Sequence, residues 1–389
     1  MTVETSSSSQ HPERQPPLKQ KMALGLKSLI GSARRFATGE EPSTVPDMAS
    51  LFPPTDLVVD GADCTHDCES CHVSYPRGFK IETDDLLYGH VKGWSTHVIV
   101  ATGKSDWVRD VEDEKGSVME AFGKATNPTN GRLMLSASNI PTPSHTSDYS
   151  EPTTAILLPA FTLIENITPA AVPRLISEYI NHAPTSKSPL EPVTLPRSLP
   201  LPGLPDAQQL LARPCPHRAV ILLCSHKTRD ARCGQSAPIL CKELERHLRP
   251  LGLFRGLDDE RPGGVGVYFI NHVGGHKYSA NMMVYRRPDA FGVDTVERGK
   301  LAPGEEVRIK KAVQKKAETT PVVVDDDGGE AKMEEDGEDV GAAQCIWLAR
   351  VRPEDCENIV RYTVLQGKVV KPDSQLRGGF DRAKGLMSW

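Results

Sequence analysis

The sequence predicts an α/β protein made of two related halves, and three observations carry that expectation. An apolar strand running into a polar loop occurs twice, as HVIVATGKSDW (97–107) and AVILLCSHKTRD (219–230). A strand followed by a proline-started helix also occurs twice, as TPAAVPRLI (168–176) and RPEDCENIV (352–360). Between the halves, residues 184–216 hold nine prolines, a density that argues against a core helix or central strand. A divergent internal duplication, each sheet covered by helices, is the simplest physical account of these echoes.

The elements follow in order. Residues 1–50 read as a disordered or targeting tail. Within them, residues 21–37 place Leu26, Leu29, Ile30 and Ala33 on one helical face, with Lys27, Arg34 and Arg35 elsewhere. That is the pattern of a mitochondrial presequence, opposed by the acidic Glu4 and Glu13 upstream unless translation begins at Met22. The first domain is expected over 51–183: strands at 97–101, 131–138 and 154–164, and helices at 116–124 and 167–182. Thr168 caps the second helix and Pro169 sits in its first turn. Residues 184–216 read as a proline-rich linker. The second domain is expected over 217–389, with a helix at 236–248, strands at 265–275, 280–286 and from 345, and a final helix beyond Pro353. An acidic insertion at 325–339, with nine acids and one lysine, reads as a solvated loop inside it.

Composition narrows the function. The chain of 389 residues and 42.5 kDa is long enough for two cores. Nine cysteines are too sparse for a small disulfide scaffold. The net charge of −5 disfavours a broad nucleic-acid surface, although without the acidic insertion it would be +3. No apolar run reaches membrane-span length.

The most informative constellation is Cys224 and Cys233 with His272 and His276. Cys224 ends an apolar strand, where α/β sheets present ligands. Cys233 follows a loop carrying Lys227, Arg229 and Arg232, which favour thiolates or form a docking patch for an acidic partner. The histidines flank Gly274 and Gly275, which permit a tight turn. Two thiolates and two imidazoles suit tetrahedral zinc or a mixed-ligand [2Fe–2S] cluster, and spacing alone does not choose. A thiol redox site and unligated residues also stay open, and His226 is an alternative ligand. Cys64, Cys68 and Cys71, with His66 and His72 nearby, read as redox thiols, a second metal site or structural residues. Cys241, Cys345 and Cys356 read as buried thiols.

These residues resemble a known family. ADCTHDCESC (62–71), YGHVKGWSTHVIVATGKSDWVRDV (88–111), CSHKTRDARCG (224–234), INHVGGHKYSANMMVY (270–285) and the final VRPEDCENIV are similar to the fungal sucrase/ferredoxin-like family of thioredoxin-like ferredoxins, the actin-patch-distribution and altered inheritance of mitochondria protein 32 family. The resemblance implies a carboxy-terminal thioredoxin-like domain holding one [2Fe–2S] cluster on Cys224, Cys233, His272 and His276; with the internal duplication, the fold expected is two thioredoxin-like domains, the first a degenerate copy. The function implied is electron transfer between an upstream reductase and an acceptor, by a carrier rather than a stand-alone enzyme. The alternatives are a thiol–disulfide oxidoreductase using Cys64, Cys68 and Cys71, and a zinc-stabilised interaction module. The terminal Met387, Ser388 and Trp389 look like the tail by which clients engage the cytosolic iron–sulfur assembly targeting complex. That favours a cytoplasmic location over the mitochondrial one suggested by residues 21–37.

Overall fold

Short apolar runs bounded by polar loops make strands, and here they join one mixed sheet. The computed structural model describes residues 45–146, 148–200, 209–302, 305, 307–309 and 338–389. Residues 1–44 of the tail expected over 1–50, including 21–37, and residues 325–337 of the acidic insertion lie outside the described residues. The strands are β1 Thr96–Ala101, β2 Leu133–Ser138, β3 Thr153–Leu158, β4 Thr162–Ile167, β5 Ser198–Leu199, β6 Leu210–Pro214 and β7 Ala219–Cys224. They continue with β8 Phe254–Arg255, β9 Val265–Ile270, β10 Met282–Arg286, β11 Gln344–Leu348, β12 Leu376–Asp381 and β13 Leu386–Met387. Across the sheet the order is β13-β12-β11-β10-β7-β9-β2-β1-β3-β4-β6-β5, with β8 beside β9. The expected α/β class is observed.

One connectivity occurs twice. β1 lies parallel to β2 and antiparallel to β3, which pairs antiparallel with β4, and β4 with β6. In the second half β7 is parallel to β9 and antiparallel to β10, and the antiparallel pairs β10–β11 and β11–β12 follow. Helix α1 (Val118–Lys124) follows β1, as helix α3 (Ala231–Leu248) follows β7. The two proline signals behave alike. Pro169 and Pro353 each open a 3-10 turn, leading into helix α2 (Val172–Glu178) and helix α4 (Cys356–Asn358), the latter continued by a π-helical stretch Ile359–Val364.

Three details differ from the sequence reading. The run 154–164 is a hairpin, β3 and β4, rather than one strand. Pro159 lacks a ladder donor, and Phe161 takes a left-handed φ of 53° that reverses the chain. The helix expected at 236–248 begins earlier, because Asp230 accepts the Arg232 N–H and caps it at Ala231. The proline-rich segment contributes β5 and β6, which extend the sheet beyond β4.

The halves meet where β2 and β9 touch. Their single register pair is Ser138 with Ile270. On either side, two asparagines supply the missing ladder. Asn139 donates its N–H to the Phe269 carbonyl while its Oδ1 accepts from Phe269 N at 2.8 Å. Asn271 does the same with Ala137, at 2.9 Å for the side-chain bond. A core cluster then spans the join, packing Trp94, Ile99, Ile156 and Phe161 against Leu222, Tyr285, Trp347 and Phe380. Among the described residues, no helix is long and apolar enough to cross a membrane.

His97 lies inside that shared core. Trp94 Nε1 donates to the Tyr285 hydroxyl at 3.1 Å, and that hydroxyl lies 3.0 Å from His97 Nδ1. His97 Nε2 lies 2.8 Å from Ser136 Oγ, so both ring nitrogens are hydrogen-bonded. Burial pushes the His97 pKa down to about 3. An unfolded chain protonates this ring near pH 6.5. The contribution to stability is therefore full above that pH and lost as pH falls from about 6.5 towards 3, by ~5 kcal/mol at most. Urea denaturation across this range should show a flatter pH dependence for His97→Asn than for the parent chain.

Candidate metal centre

Strand ends decide where the candidate ligands lie. Cys224 is the last residue of β7 and is in register with Ile270, the last of β9. Asn271 and His272 therefore leave the sheet beside Cys224. Gly274 and Gly275 adopt φ of 89° and 68°, where a β-carbon is strained, and turn the chain into a 3-10 turn starting at His276. Cys233 occupies the first turn of α3. The ligand atoms of Cys224, Cys233 and His272 lie within 4.8 Å of one another, with Cys224 Sγ 3.9 Å from His272 Nδ1. Both cysteines are buried. His276 stands just outside this trio, exposed, with its Nδ1 3.5 Å from His272 Nε2.

The electrostatics divide the two thiols. Cys233 is pushed down by the hydrogen bond it accepts from Cys224, helped by His272 and Ser279 against its own burial. Cys224 is pushed up by the same bond and by burial. Ser279 Oγ is 3.8 Å from the Cys233 sulfur. Behind the histidine turn lies Arg377, only 5% exposed. It donates to the Gly274 carbonyl at 3.0 Å and to Asn281 Oδ1 at 2.7 Å, and stacks on Trp347 at 4.1 Å. Burial lowers its pKa to about 10, and among the described residues its buried Nε has no hydrogen-bond partner. A buried cation with neutral partners favours an anionic neighbour.

The first half holds the loop between the two cysteines. Asp106 accepts from Thr228 N and Oγ1 at 3.0 and 2.8 Å, and Ser225 donates to the Ser105 carbonyl at 2.8 Å. Arg229 pairs with Asp110 at 2.6 Å, and Arg232 with Asp230 at 2.8 Å, so these two cations are engaged within the chain. Lys227 is exposed. Both nitrogens of His226 are engaged within the chain: its Nδ1 accepts from the His272 N–H at 3.2 Å and its Nε2 donates to the Trp107 carbonyl at 3.1 Å. In β1 the register position matching Cys224 is Ala101, the last residue of its strand.

The other cysteines separate. Cys68 groups with His247 and Glu357 rather than with Cys64 and Cys71. The Cys71 thiol points to the Val73 carbonyl at 3.6 Å, Cys64 is buried, and His66 and His72 are exposed. Cys345 and Cys356 are buried with their thiols pushed up by desolvation, while half-buried Cys241 is pushed to about 11. The terminal tripeptide, which the sequence presents as a tail, is packed. Met387 pairs with Phe380, Ser388 is bonded to Gly379, and Trp389 stacks on Trp94 at 4.5 Å over Gly93. Two Cys/His-containing groups able to coordinate a metal are thus present. Arg377, Ser279, Asn281, His247 and Glu357 carry no donor spacing that sequence reading could have used.

The chain is similar to known proteins. The family model described as Sucrase/ferredoxin-like matches residues 87–378, well over half of the chain. Actin patches distal protein 1 of Saccharomyces cerevisiae is 29% identical over 241 residues, 58% of this chain and 71% of that protein. Altered inheritance of mitochondria protein 32 of Clavispora lusitaniae is 25% identical over 155 residues, 40% of this chain and 33% of that protein. Its namesake in Debaryomyces hansenii is 39% identical over 66 residues, 17% of this chain and 20% of that protein. The chain therefore spans a third or less of these last two. No solved structure matches.

The two glycines of the histidine turn make different demands. A β-carbon on Gly274 meets nothing within 4 Å, whereas one on Gly275 comes to 2.6 Å from the Arg377 guanidinium. Gly274→Ala should cost about 1–2 kcal/mol from backbone strain alone. Gly275→Ala should cost more, roughly 3 kcal/mol, because it must also displace a buried cation. Denaturant unfolding of the two variants reads the difference; equal losses would show that Arg377 is not pressed against the turn.

Proposed function

The chain belongs to the sucrase/ferredoxin-like family, and from that premise we propose an electron-transfer protein whose single [2Fe–2S] cluster is held by Cys224, Cys233, His272 and His276. One observation carries the reading: two buried cysteines meet His272 at the end of a parallel strand pair, with His276 against its outer nitrogen. The donor chemistry fits, since thiolates and imidazoles are the ligands of mixed clusters. Arg377, buried with an unpartnered Nε, also suits a centre that gains negative charge on reduction. When bound, such a cluster supplies one reversible electron at a potential raised by imidazole ligation.

The chain's own groups divide the remaining work. The thiol pair sheds protons on metal uptake, and Cys233 is the first to do so. The Gly-Gly turn sets both imidazoles on one side, and exposed His276 can exchange a proton with solvent. We read each half as a thioredoxin-like domain, 51–183 and 217–389, from the repeated strand connectivity. The first has Ala101 where the second has Cys224, and so serves as support. The donor is a reductase, the acceptor a separate protein, and cytosolic assembly would use Met387, Ser388 and Trp389. Capture of that tail would need Trp389 to leave Trp94.

Protein purified without oxygen should show broad visible absorption that bleaches with dithionite, with iron and sulfide in equal amounts. His272→Cys or His276→Cys should keep the cluster and lower its potential. A colourless chain carrying stoichiometric zinc and no sulfide, even from iron-replete cells, would sink the cluster and favour the zinc-stabilised module.

A further inference from the structure

We propose that Cys68, His247 and Glu357 form a second metal site, suited to zinc, that fastens the segment around Cys68 to the second half. Their ligand atoms lie within 4.8 Å of one another, and Cys68 Sγ is 3.8 Å from His247 Nε2. The three side chains come from separate elements: a loop after the 3-10 turn Ala62–Thr65, the last turn of α3, and α4. One thiolate, one imidazole and one carboxylate form a borderline-soft donor set that suits zinc. Calcium and magnesium prefer oxygen-rich shells, which this group does not offer. Three protein ligands leave a fourth position for water.

The surroundings are arranged for a charged thiolate. Ser70 Oγ is 3.3 Å from the Cys68 sulfur, and Arg246 donates to that sulfur at 3.4 Å and to Ser70 at 2.9 Å. Outer hydrogen bonds of this kind orient metal ligands. The charges also balance. Arg246 is paired with Glu243 at 2.8 Å, and Arg361 contacts both Glu357 at 2.9 Å and Asp63 at 3.6 Å. The thiolate and one further carboxylate then match a divalent ion.

Backbone and side-chain contacts hold the segment around Cys68 in place before any metal arrives. Cys68 N donates to the Glu354 carbonyl at 3.0 Å. Asn358 Nδ2 donates to the His66 and Asp63 carbonyls at 2.7 and 3.2 Å, and Lys371 pairs with Asp67 at 2.6 Å. Metal binding would release the Cys68 thiol proton and involve no change of oxidation state. The site is distinct from the first centre. Cys233 and His247 sit at opposite ends of α3, ~20 Å apart along its axis at 1.5 Å per residue.

The test uses the full chain carrying Cys224→Ser and Cys233→Ser, so that failure of the cluster reading cannot be mistaken for failure of this one. Titration with cobalt(II) should give a thiolate-to-cobalt charge-transfer band that saturates at one ion per chain and is erased by zinc. Adding Cys68→Ser should abolish the band, and His247→Gln or Glu357→Gln should weaken binding at least tenfold. No thiolate band, or one that persists without Cys68, overturns the site. If the serine background fails to fold, zinc content of the otherwise unaltered chain decides. One zinc lost in His247→Gln, with the first centre's spectrum intact, supports the site, and zinc unchanged by that variant overturns it.

Discussion

The contact between β2 and β9 is the constraint on which the rest depends. Two sheets that share only the pair Ser138–Ile270 would present open edges to solvent, and open edges pair indiscriminately. Asn139 and Asn271 close them by using side-chain carbonyls where strand carbonyls have run out. The exchange is reciprocal, one asparagine from each half, as expected of equivalent positions in a repeated connectivity. The join also places Asn271, which satisfies Ala137, directly before His272. The position of the candidate ligand loop is thus tied to the strand that unites the molecule.

Around that join the two halves differ in what their strand ends carry. The second half places Cys224 at the sheet edge, with a capped helix behind it that presents Cys233. The first half has Ala101 there, and its following loop faces outward onto its counterpart through Ser105, Asp106 and Trp107. The polar groups of the first half's loop are spent on holding the second half's loop between Cys224 and Cys233. The basic residues between the cysteines illustrate this: Arg229 reads as a free cation in sequence and is an internal partner of Asp110 in the fold.

Much of this was legible because residue type and strand periodicity are local. AVILLC and HVIVA are strands as expected, and the TPAA and RPED signals both make proline-started 3-10 turns. Cys224, Cys233 and His272 are recognisable because few other residue types ligate metals, and strand ends are where such groups emerge. Other features depend on distant pairing. The run 154–164 hides a hairpin, since the left-handed Phe161 has no sequence mark. The grouping of Cys64, Cys68 and Cys71 by spacing gave way to Cys68 with His247 and Glu357, which only helix packing brings together. Arg377 is a lone arginine in the sequence, and its burial under the histidine turn follows from the β11–β12 pairing.

The turn that carries His272 and His276 is gripped from two sides. His226 takes the His272 N–H on one flank, and Arg377 takes the Gly274 carbonyl on the other. A ligand loop tethered at both flanks moves little when the charge beside it changes. For a centre that exchanges electrons, small nuclear displacement means small reorganisation energy, and the exchange rate rises as that energy falls. In the proposed cluster, the grip on the turn would therefore set how quickly an electron could arrive and leave, a property distinct from the potential its ligands would set.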